Sequence, residues 1–243
     1  LIFGQIESFG GTDLIETEIK VPTNKRGTGS DTQAAVAMAQ GVQITTLTLK
    51  DMDAVNKVPN VKGSYAAILD QEQVSSGNEM KKTLIFGVTS GFANIDKIEI
   101  ASGRFFTDAE DKSLEPLAVL GSQLSETLFG SSDAIGQYVK IRKTKFRVIG
   151  VAKERGAVMT MDFDNFVYAP IRTLQKRIMG IDHILMMMHL LENTDLALET
   201  AEDIRYVMRK NHDLPNIPIV TAPGGKDAIE REPRVRAPEV EKP

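Results

Sequence analysis

Gly103-Arg104-Phe105-Phe106, Ala118-Val119-Leu120-Gly121, Leu128-Phe129-Gly130, Ile135-Gly136 and Phe146-Arg147-Val148-Ile149-Gly150-Val151 are the segments on which the reading of this chain turns. Taken locally, Leu117 to Leu120 is an unbroken apolar run of strand length bounded by turn signals. Ser122 to Phe129 reads as one or two helical turns with Ser122 as a cap, and Gly130 stops them because glycine supplies the backbone freedom a helix end needs. Val139 to Val151 alternates apolar and polar residues and reads as a hairpin, with Val139, Ile141, Phe146 and Val148 on its buried face. Gly103 is a turn.

Toward the N-terminus, Leu1 to Phe9 reads as the tail of a helix that Gly10-Gly11 ends. In Asp13 to Val21 the apolar and polar positions alternate, giving a half-buried strand closed by Pro22. Thr23 to Gly41 is rich in small and turn residues and reads as a loop. Thr48 followed by Asp51 is an N-cap signature, and Leu49, Met52 and Val55 share one helical face before Pro59. Val61 to Val74 is a returning strand. Met80 to Val88 is a strand expected to break at Gly87 and resume toward Phe92, and Ile95, Ile98 and Ile100 lead to Gly103.

Toward the C-terminus, Asp182 to Leu191 places Ile184, Met186, Met188 and Leu190 on one face and His183, Leu185, Met187, His189 and Leu191 on the other, a strand buried on both sides. That double burial also accounts for the Met186 to Met188 triplet, in preference to a Met-lined binding surface. Thr194 to Lys210 is an amphipathic helix with Ala197, Ala201, Ile204 and Met208 as its stripe. Ala222 to Pro243, rich in proline and charge, reads as a disordered linker. The whole has 243 residues, 42% hydrophobic and 26% charged, which is ordinary globular usage, and no apolar run approaches the roughly 18 residues of a membrane span. The chain begins at Leu1 rather than methionine, as a fragment or processed form would.

The chemistry-bearing residue types are sparse. With 29 Lys and Arg against 33 Asp and Glu, the net charge of −4 offers no global attraction to nucleic acid. Cysteine is absent, which excludes disulfides, thiolate metal sites and a cysteine nucleophile. Gly27-Thr28-Gly29 has no third glycine at Thr32, and Gly224-Gly225-Lys226 has Val220 where a P-loop needs glycine. His183 and His189, six residues apart on one strand, stand about 20 Å apart, too far to share a metal ion. Ser122 has no nucleophile-elbow context, and the acid pairs Asp108 with Glu110 and Asp162 with Asp164 read as solvated turns. Lys140, Arg142, Lys143, Lys145, Arg147, Lys153 and Arg155 have only Glu154 nearby in sequence, so the hairpin carries local positive charge. Lys140, Arg142, Lys143, Lys145 and Arg147 are the candidate contact with an acidic partner; the plainer reading makes them the solvent face of the hairpin.

In order and spacing, the "GRFF" turn, "VLG" strand, "LFG" helix stop, "IG" turn and "F-x-V-I-G-V" strand resemble the MacB-like periplasmic core domain. Gly11-Thr12-Asp13-Leu14-Ile15, and Leu47-Thr48 followed by Asp51, Val55, Val58-Pro59 and Val61, resemble that family's opening segment, so the resemblance covers about residues 5 to 212. It implies an extracytoplasmic domain of an ABC transporter permease, on the periplasmic or extracellular side of the cell (inner) membrane. Nucleotide-driven motion of a permease dimer would be coupled there to export or release of a substrate. The implied partners are an ATPase domain or subunit, a second permease protomer, and a periplasmic adaptor or substrate chaperone. No cofactor, catalytic residue or metal is implied in this domain, ATP hydrolysis sitting elsewhere.

The resemblance implies an α+β fold with two subdomains. Residues 1–12 would end a transmembrane or juxtamembrane helix, residues 13–90 and 178–221 would form a porter-like βα layer near the membrane, residues 91–177 an inserted, turn-rich, sabre-like mixed β lobe, and residues 222–243 a flexible linker. The alternative is a freestanding periplasmic or secreted binding protein, which a hydrophilic true N-terminus would favour; a small hydrolase using Ser122 or an acid pair ranks below both.

Overall fold

Sixteen consecutive extended residues, Val61–Ser76 (β2), run through the centre of the protein. At about 3.3 Å per residue that strand is roughly 50 Å long. The computed structural model describes residues 13–18, 45–158 and 161–215. The expected helix tail over 1–12, the loop over 23–41 and the linker over 222–243 lie outside the described residues.

The other strands of the main sheet assemble on β2. Leu14–Glu18 (β1) lies against Met186–Leu191 (β11), which pairs with the first part of β2. Glu79–Val88 (β3) forms an antiparallel hairpin with β2 from Ser76↔Glu79 to Ala67↔Val88. Ile100–Gly103 (β4), Leu117–Leu120 (β5), Tyr138–Ile141 (β6), Thr144–Ala152 (β7) and Val167–Pro170 (β10) complete it. The order is β1-β11-β2-β3-β10-β5-β7-β4, and β6 pairs with both β7 and the far end of β2. The β6 pairings close a ring of six strands, β2-β3-β10-β5-β7-β6, in which β3/β10 and β5/β7 are parallel and the others antiparallel. Ala157–Val158 (β8) and Met161–Asp162 (β9) form a separate small hairpin.

Two apolar clusters fill the two faces of this sheet. Ring residues Val74, Ile85, Ala118, Val139, Phe146 and Val167 are fully buried in the first, together with Leu124 and Leu128 of the helix Ser122–Phe129. The same cluster continues beneath the helices Leu49–Val55 (α1) and Ala197–Asn211 (α6), which place Met52, Val55, Ile204 and Met208 over Ile15, Met187 and Leu191. The second cluster is aromatic: Phe92 of the short helix Phe92–Ile95 (α2) meets Tyr65 edge-on at 5.1 Å and stacks on Tyr168 at 5.6 Å. Strand β11 serves both, with Met187 in the first and Met188 in the second, as the double-sided apolar pattern predicts. The fold is α+β.

Local signals explain most of the elements. Thr48 and Asp51 form a capping box on α1, with the Thr48 amide donating to Asp51 Oδ2 at 2.8 Å. The five-residue helix Asp108–Lys112 (α3) repeats the device with Thr107 and Glu110. Ser122–Phe129 (α4) stops at Gly130, whose φ is +58°, although its N-cap is Gly121 and Ser122 is its first helical residue. Gly103 needs its φ of +76°, and a Cβ there would lie 2.2 Å from the Ile149 carbonyl, so glycine lets β4 approach β7.

One expectation is corrected. The strand does not break at Gly87: β3 is continuous to Val88, and Phe92 belongs to α2. A Cβ on Gly87 would stand 2.6 Å from Ile68 Cγ1 and 2.8 Å from Leu174 Cδ2, so this glycine serves close packing. Leu174 belongs to a π-helical turn, Leu174–Met179, that continues the short helix Ile171–Thr173 (α5).

Candidate functional site

The β6–β7 hairpin turns at Arg142-Lys143, where Arg142 takes a φ of +52°. Alternation sends Val139, Ile141, Phe146 and Val148 into the core, each fully buried, and leaves Lys140, Lys145 and Arg147 exposed beside Tyr138. The register sets Lys140 opposite Lys145 and Tyr138 opposite Arg147. Like charges directly opposite on an antiparallel pair repel, so local folding gains nothing from that arrangement.

The acids that neutralise this basic stretch come from distant segments, not from Glu154 alone. Arg142 reaches Glu72 Oε1 at 2.5 Å and Asp70 Oδ2 at 3.6 Å, and donates to the Ile178 carbonyl at the end of the π turn at 2.5 Å. The hydrogen bond to Glu72 holds the Arg142 guanidinium pKa above its ordinary value. Lys153 pairs with Glu99 at 2.5 Å, and Arg155 pairs with Asp96 while lying 4.7 Å from the Phe163 ring centre. Of the five candidate contact residues, Arg142 is therefore engaged within the fold. Lys140, Lys143, Lys145 and Arg147 are exposed and form no ion pair among the described residues.

The register adds residues that the local sequence does not signal. Ser75 pairs with Lys140 on one side and with Met80 on the other. Met80, Ser75, Lys140 and Lys145 thus make one row across β3, β2, β6 and β7, with Lys82 exposed two positions farther along β3. Met80 is 61% exposed and Tyr138 56%. The signal that reveals Met80 is the Gly77-Asn78 turn, which sets the β2–β3 register, but only the β2–β6 pairing joins it to the lysines.

Most of the candidate catalytic groups have structural partners. His189 is fully buried and bonds Thr17 Oγ1 at 3.0 Å and Ser64 Oγ at 2.6 Å, and burial pushes its pKa down to about 3. His183 sits in a backbone bridge with Thr48, and His212 lies 3.0 Å from Asp51. Ser122 Oγ is buried without a hydrogen-bond partner. Glu110 is held by Arg104 at 2.6 and 2.8 Å, which with the Thr107 bonds lowers its pKa to about 2. Asp164 accepts the Arg155 and Gly156 amides, and Asp162 bonds Asn165. Among the described residues no three His, Asp or Glu side chains converge as metal ligands.

The profile of the MacB-like periplasmic core domain matches residues 8–207. The macrolide export ATP-binding/permease protein MacB of Bdellovibrio bacteriovorus is 28% identical over 188 residues, 74% of this chain and 28% of that protein. The chain thus spans about a quarter of the length of the curated relatives it matches. The extracellular domain of the noncanonic ABC-type transporter YknZ from Gram-positive bacteria has a similar fold, with a TM-score of 0.67 at 21% identity over 84% of this chain and 96% of that one. The periplasmic region of MacB from Actinobacillus actinomycetemcomitans is similar at a TM-score of 0.63 and 17% identity, covering 71% of this chain and 77% of that one.

Proposed function

Since the chain belongs to the MacB-like periplasmic core domain family, we propose that it is the extracytoplasmic domain of an ABC transporter permease subunit in the cell membrane. It couples ATP-driven motion of a permease dimer to export or release of a substrate, with an adaptor or chaperone as partner. The match over residues 8–207 carries this reading, and relatives named as ATP-binding/permease proteins support it. The ATPase and membrane-spanning parts lie in other segments or subunits; no helix among the described residues is long and apolar enough to cross a membrane.

The division into a βα layer of 13–90 with 178–221 and an inserted lobe of 91–177 belongs to the same proposal. In its favour, α1 and α6 cover β1, β11 and the near part of β2, while the segments between α2 and the π turn supply most of the ring. Strands β2 and β3 join the two parts, so motion of the layer is carried into the ring through continuous backbone. Lys140, Lys143, Lys145 and Arg147 are the proposed contact surface; Arg142 positions the hairpin beneath them.

The test is a transport assay on the parent permease with residues 13–215 replaced by a short flexible linker. The expected outcome is retained ATP binding with loss of substrate export. Export at the unmodified rate overturns the reading, as does robust ATP turnover by this chain alone.

A further inference from the structure

The outer face of the far end of the ring is a small lattice of positive charge with apolar groups set into it. One row runs Met80, Ser75, Lys140, Lys145; the neighbouring positions hold Lys82, and Tyr138 opposite Arg147. Adjacent strands are about 4.8 Å apart and alternate residues about 6.7 Å, so Lys140, Lys145 and Arg147 fall within roughly 10 Å of one another and Lys82 within roughly 20 Å of all three. Lys82, Lys140, Lys145 and Arg147 are exposed and unpaired among the described residues, in a chain whose net charge is −4. The positive charge is therefore a local feature of this face, with no ion pair among the described residues to these four side chains.

We propose that this face binds an extended acidic segment of a partner protein, with Met80 and Tyr138 providing apolar contacts between the charge pairs. An extended chain displays alternate side chains at about 6.7 Å, matching the spacing along these strands. An isologous contact with a second copy is disfavoured because it would set these cations against themselves. The proposal rests on the permease reading for the exclusion of a lipid surface. The chain enters the described fold at Leu14, level with Gly63, twelve residues of β2 from Ser75 and about 40 Å away. It leaves after α6, where Asn211 and His212 meet Asp51, and the N-cap of α1, Thr48, is bridged to His183 near Ala67, eight residues of β2 from Ser75 and about 26 Å away. Under the permease reading, a face so far from Leu14 and from the end of α6 does not rest on the bilayer.

The experiment measures fluorescence anisotropy of a labelled decapeptide alternating Glu and Thr, added to the 243-residue chain at about 20 and about 200 mM salt, where screening differs several-fold. Three proteins are compared: the unmodified chain, a triple variant Lys140→Glu, Lys145→Glu, Arg147→Glu, and a control triple variant Lys50→Glu, Lys57→Glu, Lys62→Glu at the exposed surface of α1, the turn after it and early β2. The patch variant should bind at least about tenfold more weakly, the control within about twofold, and high salt should weaken the unmodified chain most. A parallel Lys140→Gln, Lys145→Gln, Arg147→Gln variant, with its thermal midpoint recorded, gives the same direction without charge reversal and separates lost binding from lost folding. Equal losses in both charge-reversal variants, or no binding by the unmodified chain, overturn the proposal. So does binding to phosphatidylglycerol vesicles that the patch variant abolishes, or self-association that it abolishes. Any of these leaves the family assignment and the transport reading standing, since those are tested by export from the parent permease.

Discussion

Glu110 accepts two guanidinium nitrogens of Arg104 and the Thr107 amide, and with a folded pKa near 2 against an ordinary 4.5 it stabilises the fold whenever it is ionised. The sign follows from linkage: that stability is present above about pH 4.5 and is lost as pH falls toward 2. Glu110→Gln should flatten the acid limb of a stability-versus-pH curve measured by urea titration. Glu16 has the opposite sign. It lies opposite Met188 on β1, burial and the charge of Glu18 raise its pKa to about 7, and its contribution, full below pH 4.5, disappears as pH rises through 7. Glu16→Gln is therefore expected to match the unmodified chain near pH 4 and exceed it near pH 8, by up to about 3 kcal/mol. Arg142→Met would strand Glu72 and Asp70, whose side chains are only 18% and 19% exposed, and should cost about 1–3 kcal/mol in the same titration. The cationic hairpin was legible in the sequence, but the partners of Arg142 were not, because Glu72 lies 70 residues away and is brought near by the β2–β6 pairing.

Strand β3 tests how glycine is read in a strand. Its glycine signals a break by composition, yet the space at Gly87 is taken by Ile68 and Leu174 from two other elements, which no local pattern reveals. Gly87→Ala should destabilise by about 1–3 kcal/mol through overpacking, visible as a lower urea midpoint with an unchanged slope. Strand β11 carries a comparable lesson. His189 reads as a sheet histidine, but only the structure shows that it bonds Thr17 on β1 with one ring nitrogen and Ser64 on β2 with the other. It ties both neighbours of its own strand. His189→Leu leaves the buried Thr17 hydroxyl and the half-buried Ser64 hydroxyl without this partner and should cost about 1–3 kcal/mol, with amide exchange accelerating first in β1. The hairpin β6–β7, the apolar β5, the capped α1 and the amphipathic α6 were readable because each is decided by contacts within a few residues. Strand β10 and the π turn were not, since Val167–Pro170 is a short apolar run between turns and its role is set by β3 and β5 on either side.

Ring closure belongs to the whole molecule, because it depends on Val74↔Ile141 and Ser75↔Lys140, two register pairs joining segments more than 60 residues apart. Family motifs in residues 103 to 151 pointed to the α+β class, whereas no periodicity specifies that β6 returns to β2. Since β2 runs from beneath α1 and α6 into the ring, the two parts share one backbone and one apolar cluster. Thermal unfolding is expected to be a single transition, with tyrosine near-UV and backbone far-UV dichroism coinciding; two separated transitions would show independent parts. The length of β2 also makes it a ruler. Removing one residue between Ala67 and Val74 would invert the facing of everything beyond it and unseat Val74 from the core, whereas removing two would restore the facing but draw the basic rows about 6.6 Å closer to the chain ends. Even and odd deletions should therefore part ways, the even ones folding with a shortened reach and the odd ones not folding at all, and the strand's parity, more than its composition, sets which lengths this domain tolerates.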